Sequence, residues 1–140
     1  MDKNERFQLI YKSLGDEISK SIFENRIRYS ACDSSESIRS IIETTETAHW
    51  LKQMISQHES RDIVLYGAGR MSQYILNYCA EDICAIVDQD ENKQGQLLMG
   101  IPVISLQTAI SKYNAPYFLI SVKYNVEEII KELMRCGIER

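Results

Sequence analysis

The sequence predicts an α/β fold: a doubly wound parallel sheet preceded by a helical region. Three observations predict it. From Asp62 onward, short apolar runs alternate with segments whose apolar residues recur at helical spacing. The first of these runs stops at Gly67-Ala68-Gly69 and passes directly into a helical rhythm. Before Asp62 only the helical period is present. The expected division is a helical region over 1–60 and an α/β domain over 61–140.

In the first region Phe7, Ile10, Tyr11 and Leu14 repeat at the helical interval, and Gly15 breaks the pattern. Ile18, Ile22, Phe23 and Ile27 share the face of a second helix. Asp33-Ser34-Ser35-Glu36 reads as a helix start, with a side-chain oxygen for orphan amides and an early acid for the dipole. The apolar face continues from Ile38 to Ile55, with a polar segment at Glu43–Thr47 that bends or interrupts it. His58–Asp62 is the expected linker.

In the second region Ile63–Tyr66 reads as a buried strand. Met71, Tyr74, Ile75, Tyr78 and Cys79 mark a helix. Ile83–Val87 is a second strand, Asp88–Gly100 a polar loop and Ile101–Ile104 a third strand. Ser105 caps a helix carrying Leu106, Ala109, Ile110 and Tyr113, and Tyr117–Val122 is a fourth strand. Asn125 and Glu128 have capping-box spacing before a last helix, which Gly137 ends. Parallel strands joined by right-handed crossovers then take the order 3-2-1-4, extended by a fifth where one is supplied. Pro102, which cannot donate a ladder hydrogen bond, places the third strand at an edge. The fourth strand is left as an open apolar edge, so a covalent continuation or a second subunit is expected to cover it.

Composition narrows the function. The chain of 140 residues is 44% hydrophobic and 26% charged, with a net charge of -4. No apolar run is long enough to span a bilayer, and the first residues lack the apolar centre of a secretory signal, so a cytoplasmic protein is expected. Lys and Arg form no basic block, which argues against nucleic acid as the main partner. Cys32, Cys79, Cys84 and Cys136 form no C-x-x-C pair and read as free thiols, with Cys79 and Cys136 on buried helix faces. His49 and His58 have no metal-ligand partner at a motif spacing, so no metal site is expected.

The chemistry sits at the glycine turn. A strand that ends in Gly-x-Gly and enters a helix leaves backbone N–H groups unpaired at the positive end of the helix dipole, where a phosphate fits. Gly67 would make the turn, and Gly69 would admit a phosphate to the backbone, with Ala68, Arg70 and Met71 beside it. Ser72 stands where the dinucleotide pattern G-x-G-x-x-G/A has its third small residue. Asp88 ends the second strand, at the place where an acid holds a ribose hydroxyl pair. Ser121 and Lys123 leave the fourth strand at the same edge and are candidates for a base, sugar or phosphate. Each has a plainer alternative: a tight connection without ligand at the glycines, a turn start at Asp88, a solvated Lys123, and packing for Trp50, Tyr74 and Tyr78.

These residues resemble a Rossmann-like domain family of bacterial surface-polysaccharide biosynthesis. Its domains stand at the front of nucleotide-sugar dehydratases and epimerases, in sugar acyltransferases, and beside FkbM-type methyltransferases and glycosyltransferases. The shared stretches are "IVLYGAGRMSQYI" (63–75), "AIVDQDENKQGQLLMGIPVIS" (85–105) and "YFLISV" (117–122), with "LGDEISKSIFENRIRYS" (14–30) similar to the lead-in of FkbM-associated proteins. The resemblance implies that Gly67, Gly69, Arg70 and Asp88 contact a nucleotide, nucleotide-sugar or coenzyme A-like ligand. NAD and other nucleotide-type molecules suit that chemistry, and the sequence does not choose among them.

Three function classes compete. The first is an accessory module that binds a nucleotide-type ligand, with the chemistry done elsewhere. The second is an interaction or structural domain whose ligand site is degenerate. The third is an enzyme, or a fragment of a dehydratase, epimerase or transferase. No lysine has a tyrosine four residues before it, and no set of nucleophile, base and orienting group is evident, so no catalytic residue is assigned. Methyl transfer is disfavoured because Tyr66 stands where an acid usually precedes the glycines.

Overall fold

The computed structural model describes residues 1–32, 35–43 and 46–139. The chain forms two compact units, Met1–Leu51 and Lys52–Arg140. The first holds α1 (Lys3–Ser13), α2 (Glu17–Cys32), α3 (Ser35–Glu43) and the start of α4 (Glu46–Gln57). Asp2 and Glu5 cap α1 reciprocally: the Glu5 N–H donates to Asp2 Oδ1 at 2.7 Å, and the Asp2 N–H donates to Glu5 Oε2 at 2.8 Å. Asp16 receives the Ser19 N–H at 2.7 Å at the start of α2. Phe7 stacks on Tyr11 and on Phe23, with centroids 5.9 and 5.3 Å apart, which joins α1 to α2. Asp33, Ser34, Thr44 and Thr45 lie outside the described residues, and with them the expected helix start and the expected bend.

The second unit is the α/β domain. Its elements are β1 (Ile63–Tyr66), α5 (Arg70–Cys79), a single 3-10 turn (Ala80–Asp82), β2 (Ile83–Val87), β3 (Leu97–Leu98), β4 (Ile101–Ile104), α6 (Leu106–Lys112), β5 (Tyr117–Ile120) and α7 (Val126–Arg135). The sheet order is β3-β4-β2-β1-β5. β1 pairs in parallel with β2 and with β5, and β2 with β4, so the four expected strands stand in the expected order.

One strand was not expected. β3 lies within the stretch read as a polar loop and pairs antiparallel with β4, Leu97 opposite Pro102 and Leu98 opposite Ile101. The strand carrying Pro102 is therefore not an edge. Two features make this possible. Met99 and Gly100 both have positive φ, 51° and 83°, which suits a two-residue hairpin turn. Pro102 also precedes the first β2–β4 pair, Ile86 with Val103, and toward β3 it is the neighbouring Val103 N–H that donates, to the Gln96 carbonyl at 2.9 Å.

Side chains alternate across the sheet. Val64, Tyr66 and Val87 face one layer, where Ala109 of α6 and Ile129 and Leu133 of α7 complete a buried cluster. Leu65 and Ile86, fully buried, point the other way, and α5 brings its buried Ser72, Leu76 and Cys79. The α5 residues expected on the buried face are only partly there: Tyr78 and Cys79 are buried, but Met71 is 53% exposed. Cys136, expected in a buried face, is exposed at the C-cap of α7.

Helix ends follow the sequence in two of three cases. The Ser105 hydroxyl receives the Thr108 N–H at 3.1 Å at the start of α6. Gly137, at φ 82°, lets the chain turn back, so that the Gly137 N–H reaches the Met134 carbonyl and the Ile138 N–H reaches that of Leu133, each at 3.0 Å. The Asn125 side chain makes no capping bond; its backbone is left-handed, φ 60°, instead of the extended conformation of a capping residue. Replacing Gly137 by alanine forces a side chain into that left-handed position and is expected to cost about 1 kcal/mol in a denaturation experiment.

Candidate functional site

The glycine turn joins β1 to α5, and the two glycines have different jobs. Gly67 has φ 107°, and a Cβ there would lie 2.6 Å from Val122 Cγ1 and 3.2 Å from Ser121 Oγ. The close approach that requires glycine at this position is made by the protein's own chain beyond β5. The Gly67 N–H continues the sheet ladder to the Val87 carbonyl at 2.7 Å. Its carbonyl receives the Ser72 hydroxyl, and the Ser121 hydroxyl lies 3.3 Å away. Ser72 and Ser121 touch at 2.6 Å, and Ser121 also donates to the Tyr66 carbonyl at 2.8 Å. Ser72, the departure from the dinucleotide pattern, is thus a buried tie between α5, β1 and the end of β5.

Gly69 is the opposite case. It is the N-cap of α5 in an extended conformation, with no side-chain hydrogen bond and nothing within 4 Å of an added Cβ. The first intrahelical bond runs from the Gln73 N–H to the Gly69 carbonyl, so the amides of Arg70 and Met71 precede the ladder. Gly69, Arg70 and Met71 are all exposed.

Asp88 occupies the turn from within. Its Oδ2 receives the Ala68 N–H at 2.7 Å and lies 3.4 Å from Lys93 Nζ, while Oδ1 receives the Asp90 N–H at 2.8 Å. Burial pushes its carboxyl pKa up, but the Asp90 and Ala68 amides and Lys93 together outweigh that and hold it below the usual carboxylate range. The predicted residues are therefore divided. Gly67, Ala68, Ser72, Asp88 and Ser121 meet in one internal network; Gly69, Arg70 and Met71 stand open beside it. Lys123 is exposed, with Nζ 5.7 Å from the Tyr124 ring centroid.

A cleft of about 640 Å³ opens at the carboxyl ends of β1, β2 and β5. Tyr66, Gly67, Asp88 and Gln89 line it from the strand ends. Glu128, Lys131, Glu132 and Arg135 line it from α7. This is where the strand order reverses direction, the usual place for a ligand in an open α/β sheet. At its floor Glu132 Oε2 receives the Tyr66 hydroxyl at 3.0 Å and Gln89 Nε2 at 3.1 Å, and Gln89 Nε2 also reaches Tyr66 Oη at 3.1 Å. Burial, reinforced by the hydrogen bond to the Glu132 carboxylate, pushes the Tyr66 phenol up to about 12. Lys131 and Arg135 make no ion pair among the described residues. No group of three or more His, Cys, Asp or Glu suited to a metal ion occurs among the described residues.

Sequence reasoning missed the Tyr66–Gln89–Glu132 network. Glu132 carried a signal: it falls on α7 one turn from Glu128 and between Lys131 and Arg135, a polar face on a helix whose other face is buried. Its partners are distant in sequence and only the sheet brings them together.

Residues 59–140, more than half of the chain, match the family described as C2185-like, N-terminal. The chain belongs to the C2185-like N-terminal family. The matched residues of this C2185-like domain begin within the turn after α4 and take in the whole sheet, the glycine turn and the cleft. No curated protein matches the chain significantly. No helix of the described residues is long and apolar enough to cross a membrane.

Two outcomes test this geometry. Gly67→Ala should lose 2 kcal/mol or more, roughly, of unfolding free energy, because a Cβ there collides with Val122 and the backbone is left-handed; Gly69→Ala should stay within about 0.5 kcal/mol. Asp88 has a depressed pKa in the folded chain, so its stabilisation is present above the ordinary carboxylate value of about 4 and is lost as pH falls through the folded value. Acid unfolding curves of Asp88→Asn should accordingly show a shallower loss of stability below pH ~4 than the parent, with lower stability at neutral pH.

Proposed function

We propose that the domain is an accessory Rossmann-like module that binds a nucleotide-type ligand and performs no catalysis by itself. The observation that carries this reading is the cleft of about 640 Å³ at the reversal point of the strand order, adjoining the glycine turn. The open start of α5 supports it: uncapped amides at Gly69–Met71, with Arg70 beside them, offer a phosphate both hydrogen bonds and the positive end of a ten-residue helix. Lys131 and Arg135, without an ion pair among the described residues, add positive charge on the α7 side. NAD, a nucleotide-sugar and a coenzyme A-like molecule share the chemistry this arrangement would recognise. The resemblance of residues 63–75, 85–105 and 117–122 to polysaccharide-biosynthesis domains supports a bacterial cytoplasmic role in surface-glycan assembly, with the chemistry carried by another domain or protein.

A second reading has an observation in its favour. Asp88 already holds the Ala68 amide, and Ser72 and Ser121 close over Gly67, so half of the turn is filled by the protein itself. This favours an interaction domain that has lost its ligand.

A substitution at Gly69 separates the two. Gly69→Asp has room for its side chain and puts a carboxylate on the uncapped amides, the position an anionic ligand would take. It should raise stability by a few tenths up to about 1 kcal/mol by capping α5. Thermal-shift and calorimetric titrations with NAD, UDP-sugars, coenzyme A and S-adenosylmethionine should show at least one of them stabilising the parent chain, and that response should disappear in Gly69→Asp. A parent chain that responds to none of the four sinks the binding reading and leaves the interaction domain.

A further inference from the structure

The acid that ends the second strand of a dinucleotide fold ordinarily faces the ligand. In this chain Asp88 faces the protein. Both its oxygens are committed, to the Ala68 and Asp90 amides and to Lys93, and the turn between β1 and α5 depends on them. A ligand's hydroxyl pair would have to displace a charge-assisted backbone bond of 2.7 Å to use it. If a ligand with neighbouring hydroxyls enters the cleft, another acceptor must serve.

The cleft supplies one. Glu132 projects into it from α7, and only one of its oxygens is used: Oε2 receives both the Tyr66 hydroxyl and Gln89 Nε2. Oε1 has no hydrogen bond among the described residues. Gln89 likewise donates through Nε2 to both neighbours, which leaves its amide oxygen as an acceptor. Tyr66, 3% exposed, cannot swing away, and Gln89 cross-braces the pair, so the carboxylate is held in a fixed orientation before any ligand arrives. Two acceptors belonging to side chains joined in one hydrogen-bonded frame suit a pair of adjacent hydroxyls. Lys131 and Arg135, one helical turn apart on the same cleft wall, are placed for an anionic group carried by the same molecule.

We propose that Glu132, with Gln89, and not Asp88, receives the vicinal hydroxyls of a phosphate-bearing ligand in this cleft. The proposal rests on the binding reading above and gives that site its hydroxyl acceptor. The shared chemistry is a vicinal diol, found in a nucleotide's ribose and in the hexose of a nucleotide-sugar. Tyr66 is a positioning residue: its proton stays on the phenol, because burial and the Glu132 carboxylate raise its pKa to about 12, and so it holds Oε2 and leaves Oε1 to the ligand.

The experiment is calorimetric titration of the full chain and its variants with UDP, ADP, their 2′-deoxy counterparts and UDP-glucose. In the parent at least one diol-bearing probe binds. Glu132→Gln, which keeps the shape and the bond to Tyr66 but loses the charge, should weaken that binding by about tenfold or more, the usual effect of losing a charged hydrogen-bond partner. If the diol is the ribose, the loss extends to UDP or ADP and the 2′-deoxy compounds already bind weakly to the parent; if it is the hexose, the loss is confined to UDP-glucose. Asp88→Asn should lower the unfolding temperature but keep the parent's preference for diol-bearing over deoxy probes, since it removes no acceptor of the diol. Circular dichroism and thermal unfolding of Glu132→Gln should match the parent closely, which shows that the variant folds. Parent affinity kept in a folded Glu132→Gln, or lost only in Asp88→Asn, overturns the proposal and leaves the binding reading standing. A parent that binds none of these diol-bearing probes overturns the proposal, and one that also fails to respond to NAD, coenzyme A and S-adenosylmethionine removes the binding reading with it.

Discussion

The close contact between the bend at Gly67 and the chain leaving β5 is the constraint on which the rest of the domain depends. β1 is an interior strand, paired on both sides, and the bend at its end must leave the sheet at once to start α5. Ser121 and Val122 follow directly on the neighbouring strand β5 and lie against the Gly67 α-carbon, which excludes any side chain there. The Gly67 peptide is then fixed from every direction: its N–H by Val87, its carbonyl by Ser72, and the following N–H, that of Ala68, by Asp88. β1, β2, β5 and α5 are tied at one point, and the position of the cleft follows from it.

That arrangement explains why the turn is half filled and half open. A helix start has several orphan amides, and each must find a partner or water. The amide nearest the sheet is shielded and meets a carboxylate of the protein; those further along α5 face solvent with glycine at the cap, where aspartate or serine would normally add stability. Asp88 thus acts as a built-in anion for one end of the bend, and its negative charge disfavours a second anion close to Ala68. In the proposed reading a phosphate sits toward Gly69 and Arg70, displaced along the helix from where the bare motif would put it.

How far the sequence revealed this depends on the range of the interactions. Hydrophobic period and turn chemistry are local, and they placed β1, β2, β4 and β5 in their order, the Ser105 cap and the Gly137 stop. The hairpin to β3 was hidden because two residues, Leu97 and Leu98, show no alternation, and because Pro102 suggests an edge unless the register is known. Asn125 had the composition of a cap but not the backbone angle. At the site, the sequence brought out the glycines and Asp88, whose spacing is a local pattern. It did not reveal that Ser72 and Ser121, 49 positions apart, share a contact, nor that Tyr66 and Glu132, 66 apart, share a proton donor and acceptor.

The same distinction bears on what the domain recognises. Residues that match the motif, Gly67 and Asp88 above all, are bound up in holding β1, β2 and α5 together, so their presence in a sequence reports the bend more directly than it reports a ligand. The groups with unused hydrogen-bonding capacity or charge lie elsewhere: the amides after Gly69, one oxygen of Glu132, the ammonium of Lys131 and the guanidinium of Arg135. Buried polar groups that are already satisfied gain little from a ligand, whereas preset groups with a free lone pair or proton gain a full bond without reorganising. In the proposed reading selectivity is set by α7 and the start of α5, the two elements whose polar faces are not needed to hold the sheet, and variation among domains of this kind should be read there before it is read in the glycines.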